Sequence, residues 1–141
     1  GMVVQTRTER VDRLVGTGFE LLLTNHRLGC AKCGKNGSCE LQKIAKERGL
    51  KLRLTRLRSV LKEMQADESL GTVVFDPSRC VMCGQCVWAD RSANKGNIGF
   101  IRRGISRRVS TFGEVPLAES GCTGCGKCVE VCPVGALLKN S

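Results

Sequence analysis

The run C-T-G-C-G-K-C-V-E-V-C-P, from Cys122 to Pro133, constrains this 141-residue chain more than any other feature. Three thiolates spaced by two residues suit one iron–sulfur cubane, and the fourth cysteine, followed by proline, serves a second one. The run therefore requires an earlier C-x2-C-x2-C, and Cys80, Cys83 and Cys86 supply it. The crossing rule pairs Cys80, Cys83 and Cys86 with Cys132, and Cys122, Cys125 and Cys128 with a ligand from the earlier half. Where that half should carry its fourth cysteine, the chain has Asp90.

A second centre of chemistry lies upstream. His26, Cys30, Cys33 and Cys39 form H-x3-C-x2-C-x5-C, threaded with Gly29, Gly34 and Gly37, and His26 is the one histidine in the chain. Ten cysteines, this histidine and Asp90 make twelve ligands, enough for three clusters of four with none left over. Three outcomes stand open for Asp90. It binds the fourth iron as an oxygen ligand, harder than a thiolate; it leaves a three-iron cluster on Cys122, Cys125 and Cys128; or it caps the following segment.

Disulfides and structural zinc are the competing uses of so many cysteines. Repeated C-x2-C spacing suits one metal centre better than a bridge, and nothing in the chain indicates export. A zinc site of three thiolates and one imidazole is the alternative at His26. Only 4% of the residues are aromatic and seventeen are glycine, so metal clusters are expected to make up for a thin apolar core. The formal charge of +10 falls to roughly +6 once ten thiolates and three cores of about 2+ are counted. A basic surface suits an acidic protein partner or nucleic acid; solvated helix faces account for it equally well. No apolar run is long enough to span a membrane and no signal peptide is visible, so the chain is expected to be cytoplasmic.

The pattern predicts an amphipathic helix over 6–23, opened by a Thr6–Glu9 capping box, with Val11, Leu14, Val15, Phe19, Leu22 and Leu23 on one face. A second helix is expected over 39–48, capped by Ser38 and stopped by Gly49. Leu50 to Leu61 fits a strand or a helix equally well, and 62–71 reads as a polar connector. Val73–Phe75 is a strand, 97–101 and 107–112 form a hairpin across Gly104, and 134–138 closes the chain. Arg102, Arg103, Arg107 and Arg108 make a basic cluster on that hairpin, and Trp88 is expected to pack against a cluster.

Taken together, the H-x3-C-x2-C-x5-C loop and the two cysteine half-motifs resemble a known iron–sulfur region. It is shared by the large iron–sulfur subunit of respiratory complex I, NAD-linked formate dehydrogenases, [FeFe] hydrogenases and the diaphorase subunit of NAD-linked [NiFe] hydrogenases. The segments G-M-V-V-Q-T, L-L-L-T-N-H, G-S-C-E-L-Q and C-G-K-C-V-E-V-C-P-V-G-A-L carry the likeness. It implies an α+β chain, with a helical lobe (1–71) holding a [4Fe-4S] cluster on His26, Cys30, Cys33 and Cys39. A bacterial-type two-cluster ferredoxin-like domain (72–141) follows. In that family a plant-type 2Fe-2S domain precedes this region and a catalytic part follows it. Neither is seen here, so the chain is expected to be an excised fragment or a small stand-alone subunit.

The function so implied is an electron relay of three [4Fe-4S] clusters, partnered by the catalytic or diaphorase subunit of a larger oxidoreductase. The residues offer no nucleophile–base pair, phosphate-binding loop or nicotinamide site, so no catalytic site of its own is expected. The rival classes are a cluster-based sensor or nucleic-acid-binding regulator, disfavoured by the scarcity of aromatics for base stacking, and a zinc-stabilised interaction module.

Overall fold

A computed structural model describes residues 1–62, 64–93 and 95–140. Glu63, in the expected connector, Asn94 and Ser141 lie outside the described residues.

Helix α1 spans Glu9–Thr24 and starts later than the capping-box pattern suggested. Thr8 is the cap, its hydroxyl accepting the Val11 amide at 3.2 Å, with Glu9 and Asp12 in the first turn to complement the helix dipole. The buried face carries Phe19, Glu20, Leu23 and Thr24, whereas Leu14 and Leu22 of the expected stripe are exposed. The stripe is rotated because one member of the buried face is a carboxylate. Glu20 accepts the main-chain amides of Thr55 and Arg56 at 2.6 Å each and that of Leu57 at 3.1 Å, while Arg56 Nε approaches Oε2 at 3.1 Å.

That cradle settles the ambiguous stretch after Leu50. It is neither strand nor helix but an irregular segment wrapped on Glu20, with Leu50, Leu52 and Leu54 turned onto the core. Helix α2 (Glu40–Arg48) has Cys39 at its cap position rather than Ser38, whose hydroxyl instead donates to the Lys35 carbonyl at 3.4 Å. Gly49 ends α2 at φ 65°, the left-handed conformation a glycine adopts without penalty.

The remaining elements form two matched halves. Strand β1 (Val73–Phe75), the first cysteine run, helix α3 (Gln85–Ser92) and strand β2 (Ile98–Ile101) make one. Strand β3 (Arg108–Thr111), the second run, helix α4 (Lys127–Glu130) and strand β4 (Leu137–Lys139) make the other. β1 pairs antiparallel with β4, Val74 opposite Leu138, and β2 with β3, Phe100 opposite Val109. Exchanging the halves maps one pairing onto the other, an internal pseudo-two-fold. The loops obey it as well: Gly84 and Gly126, each after the second cysteine of its run, lie at φ 81° and 77°. Met82 (φ 55°) occupies the left-handed position that Gly124 (φ 67°) holds in the other half.

The two parts of the chain are tied together by polar contacts. The Arg27 amide donates to the Ser78 carbonyl at 2.7 Å, and buried Asp76 receives Arg27 at 3.3 Å and Arg79 at 3.2 Å. Within the connector, Asp67 exchanges main-chain bonds with Phe75 at 2.8 and 2.9 Å and accepts the Leu117 amide at 2.7 Å. This stretch is pinned to the second part of the chain.

The main-chain donors of Arg56 and Thr55 hold the Glu20 carboxyl down to about 2 against the opposing effect of burial. With the folded value depressed, its stabilisation is complete above the ordinary 4.5 and is lost as pH falls towards about 2. Glu20→Gln is expected to lower the thermal midpoint at pH 7 by several degrees, with the gap from the parent narrowing once the pH drops below 4.5. Equal midpoints at pH 7 would show that the cradle contributes nothing.

Candidate metal centres

The structure gathers the cysteines around three cavities. His26, Cys30, Cys33 and Cys39 line the first, with Arg79 and Gly135. α1 delivers His26 directly, since its amide donates to the Leu23 carbonyl at 3.2 Å. The side chain is 8% exposed, and its Nδ1 is buried with no hydrogen-bond partner among the described residues. Burial, reinforced by the Arg79 guanidinium, lowers the imidazole pKa, while the Arg79 main chain and the Asp76 carboxylate pull the other way. An imidazole with an orphaned nitrogen, on the wall of a cavity shared with three thiols, has the donor chemistry of a metal ligand. Cys39 stands at the cap position of α2.

Cys80, Cys83, Cys86 and Cys132 line the second cavity. Burial, and then the neighbouring thiols, push Cys80 up to about 11 and Cys86 to about 12. With no positive centre between them these thiols keep their protons; a metal core would take the protons' place. Cys80 Sγ already accepts the Met82 amide at 3.3 Å, and Cys132 Sγ lies 3.1 Å from the Val134 carbonyl oxygen.

The third cavity is lined by Cys122, Cys125 and Cys128 together with Asp90, Lys95 and Asn97. Burial pushes Cys128 up to about 11. Asp90, at the end of α3, reaches across to the other half as Cys132 does from behind α4. Its Oδ2 also accepts the Ile98 amide at 3.1 Å, so it caps the segment entering β2 while standing at the cavity wall. Asn97 was not singled out by the sequence. Its amide nitrogen is buried without a partner among the described residues, a donor facing a cavity of sulfur.

The side chains ring these cavities rather than converge. Among the described residues no three His, Cys, Asp or Glu side chains come close enough to hold one ion. What fits a metal group is the donor set: three thiols and an imidazole in the first cavity, four thiols in the second, and three thiols with a carboxylate in the third. Two further expectations change. Trp88 is 70% exposed and is not packed against a cavity. The hairpin arginines are partly engaged: Arg102 and Arg108 pair with Glu114, and Arg107 stacks 4.0 Å over the Phe100 ring.

Residues 17–52 match the NADH-ubiquinone oxidoreductase-G iron–sulfur binding region, and 73–89 with 116–138 match the 4Fe-4S binding domain. The NADP-reducing hydrogenase subunit HndD of Solidesulfovibrio fructosivorans is 34% identical over 140 residues, covering 99% of this chain and 24% of that protein. An NADH-quinone oxidoreductase subunit of Rhizobium meliloti is 36% identical over 141 residues, covering 98% of this chain and 16% of that one. This chain thus spans about a quarter or less of these curated relatives' length. A crystal structure of NAD+-reducing [NiFe]-hydrogenase in the H2-reduced state superposes with a TM-score of 0.86 at 27% identity, over 96% of this chain and 57% of that one.

The crossing can be tested by one substitution. Cys132→Ala is expected to convert the cluster of the second cavity to a three-iron form or to remove it, a loss of about one to four irons per chain, and to leave the EPR signal of the Cys122–Cys128 site. Loss of that signal instead would mean that the fourth cysteine stays with its own run.

Proposed function

We infer the role of this chain from its kind: it is a 4Fe-4S iron–sulfur protein, homologous to NADH-quinone oxidoreductase subunits, formate dehydrogenases and an NADP-reducing hydrogenase subunit. It acts as an electron relay inside a larger oxidoreductase, working beside a catalytic or diaphorase subunit in the cytoplasm. The observation that carries this is the succession of cavities. Pro133, Val134 and Ala136 line the second while Gly135 lines the first, and Phe75 and Leu137 line both the second and the third. Three redox sites in series, separated by single layers of protein, suit a process whose rate falls steeply with distance.

The ligand sets follow the same reading. His26, Cys30, Cys33 and Cys39 hold the first [4Fe-4S] cluster; Cys80, Cys83, Cys86 and Cys132 the second; Cys122, Cys125 and Cys128, with Asp90 through its Oδ1, the third. Residues 1–71 then carry one cluster and 72–141 two. When bound, the clusters supply one-electron oxidation and reduction at low potential. The chain's own residues do the rest. The cysteine thiolates and the His26 imidazole would orient the iron, buried Phe75 and Leu137 keep water from between the second and third sites, and Asn97 lines the third. Imidazole in place of thiolate removes one negative charge from the first site, which raises its potential.

Anaerobic protein is expected to hold about twelve irons and twelve sulfides per chain, with three four-iron signals after reduction. Zinc in place of iron, in protein made with iron in excess, would overturn the relay. Asp90→Cys should give a more oxygen-stable third cluster; unchanged stability and spectrum would remove Asp90 from the ligand set. His26→Cys should lower the first cluster's midpoint potential, and an unchanged potential would show that His26 is not a ligand.

A further inference from the structure

One short segment, Cys132 to Ala136, lines both of the first two cavities, and within it stands a residue with no side chain. Cys132, Pro133, Val134 and Ala136 face the second cavity, and Gly135 faces the first. Gly135 is buried, and its φ lies outside the left-handed region, so the backbone would accept another residue there. Space would not. A Cβ built on Gly135 falls inside the van der Waals shell of Cys33 Sγ, with Lys35 Cβ at 3.5 Å and Arg79 Cδ at 3.6 Å closing the other sides.

The segment is also held from both flanks. The Pro133 carbonyl accepts the Glu40 amide at 2.9 Å, at the start of α2 beside Cys39. The Ala136 carbonyl accepts the Asp76 amide at 2.8 Å. One stretch of chain is thereby fixed against the ligand loop of the first site and the ligands of the second. From Cys33 Sγ the path runs to the Gly135 main chain, along one peptide to the Val134 carbonyl, and across 3.1 Å to Cys132 Sγ.

We propose that this Gly135–Val134 main chain is the bridge by which electrons cross between the first and second clusters, and that Gly135 is the positioning residue that lets Cys33 reach it. The proposal rests on the relay reading above. In the step, one electron leaves one iron–sulfur core and enters the other, and no bond is made or broken. Main chain suits the role because its position is set by hydrogen bonds at Pro133 and Ala136 rather than by a rotamer. Phe75 and Leu137 line both the second and the third cavities.

The test uses the anaerobically purified chain, fully reduced, with iron counting and low-temperature EPR. In the parent protein the second cluster's signal should be split by the first, and the splitting should vanish in Cys33→Ala, which lacks the first. Three signals without any splitting between these two would overturn the bridge and leave the relay intact; fewer than three clusters in the parent protein would instead count against the relay itself. Gly135→Ala should keep the second and third signals and either weaken the splitting or lose the first cluster outright, about four irons per chain. Full iron with an unchanged splitting in Gly135→Ala would overturn the role assigned to Gly135.

Discussion

Sulfur at the centre of the fold is what the rest depends on. Among the described residues the regular elements are two two-stranded sheets and four α-helices, and the sheets are too small to be stable by themselves. Cys86 and Cys132 belong to the buried core itself, and Cys39, Cys80, Cys122 and Cys128 pack against it. Burial raises several of these thiols far above the range where they would ionise alone. A metal core would have to displace those protons, so the affinity of these sites for a cluster should fall as pH falls.

The pseudo-two-fold turns that constraint into an arrangement. Because β1 pairs with β4 and β2 with β3, each half carries a residue past its own helix to the cavity of the other. Cys132 follows that route in one direction and Asp90 in the other. The symmetry is broken in chemistry rather than geometry: a cysteine crosses to one cavity, while at the other a carboxylate, already bonded to Ile98, stands beside a lysine and an amide with no partner among the described residues. In the relay proposed above, a harder, shared ligand at one end and an imidazole at the other would give three sites of different electronic character.

Much of this was legible in the residues because spacing along the chain encodes it. The C-x2-C-x2-C runs, the His26 loop, the stop at Gly49 and the hairpin around Gly104 are local patterns, and local patterns survive folding. What stayed hidden depends on partners far along the chain. The stretch after Leu50 owes its shape to Glu20, more than thirty residues earlier, whose carboxylate outcompetes both regular alternatives. α1 starts at Thr8 rather than at Thr6 because capping boxes are common and only one hydroxyl meets the helix end. Asn97 belongs to no motif, and Gly135 lies in one that does not disclose its role; an orphaned donor and a missing Cβ acquire meaning only when their surroundings are seen.

The most direct measurement of the central claim is anomalous diffraction at the iron edge from crystals grown without oxygen. Three iron clusters in succession are expected, one in each cavity, with Cys132 on the middle one and Asp90 at the third. Single ions in place of clusters, or Cys132 bound together with Cys122, Cys125 and Cys128, would contradict it.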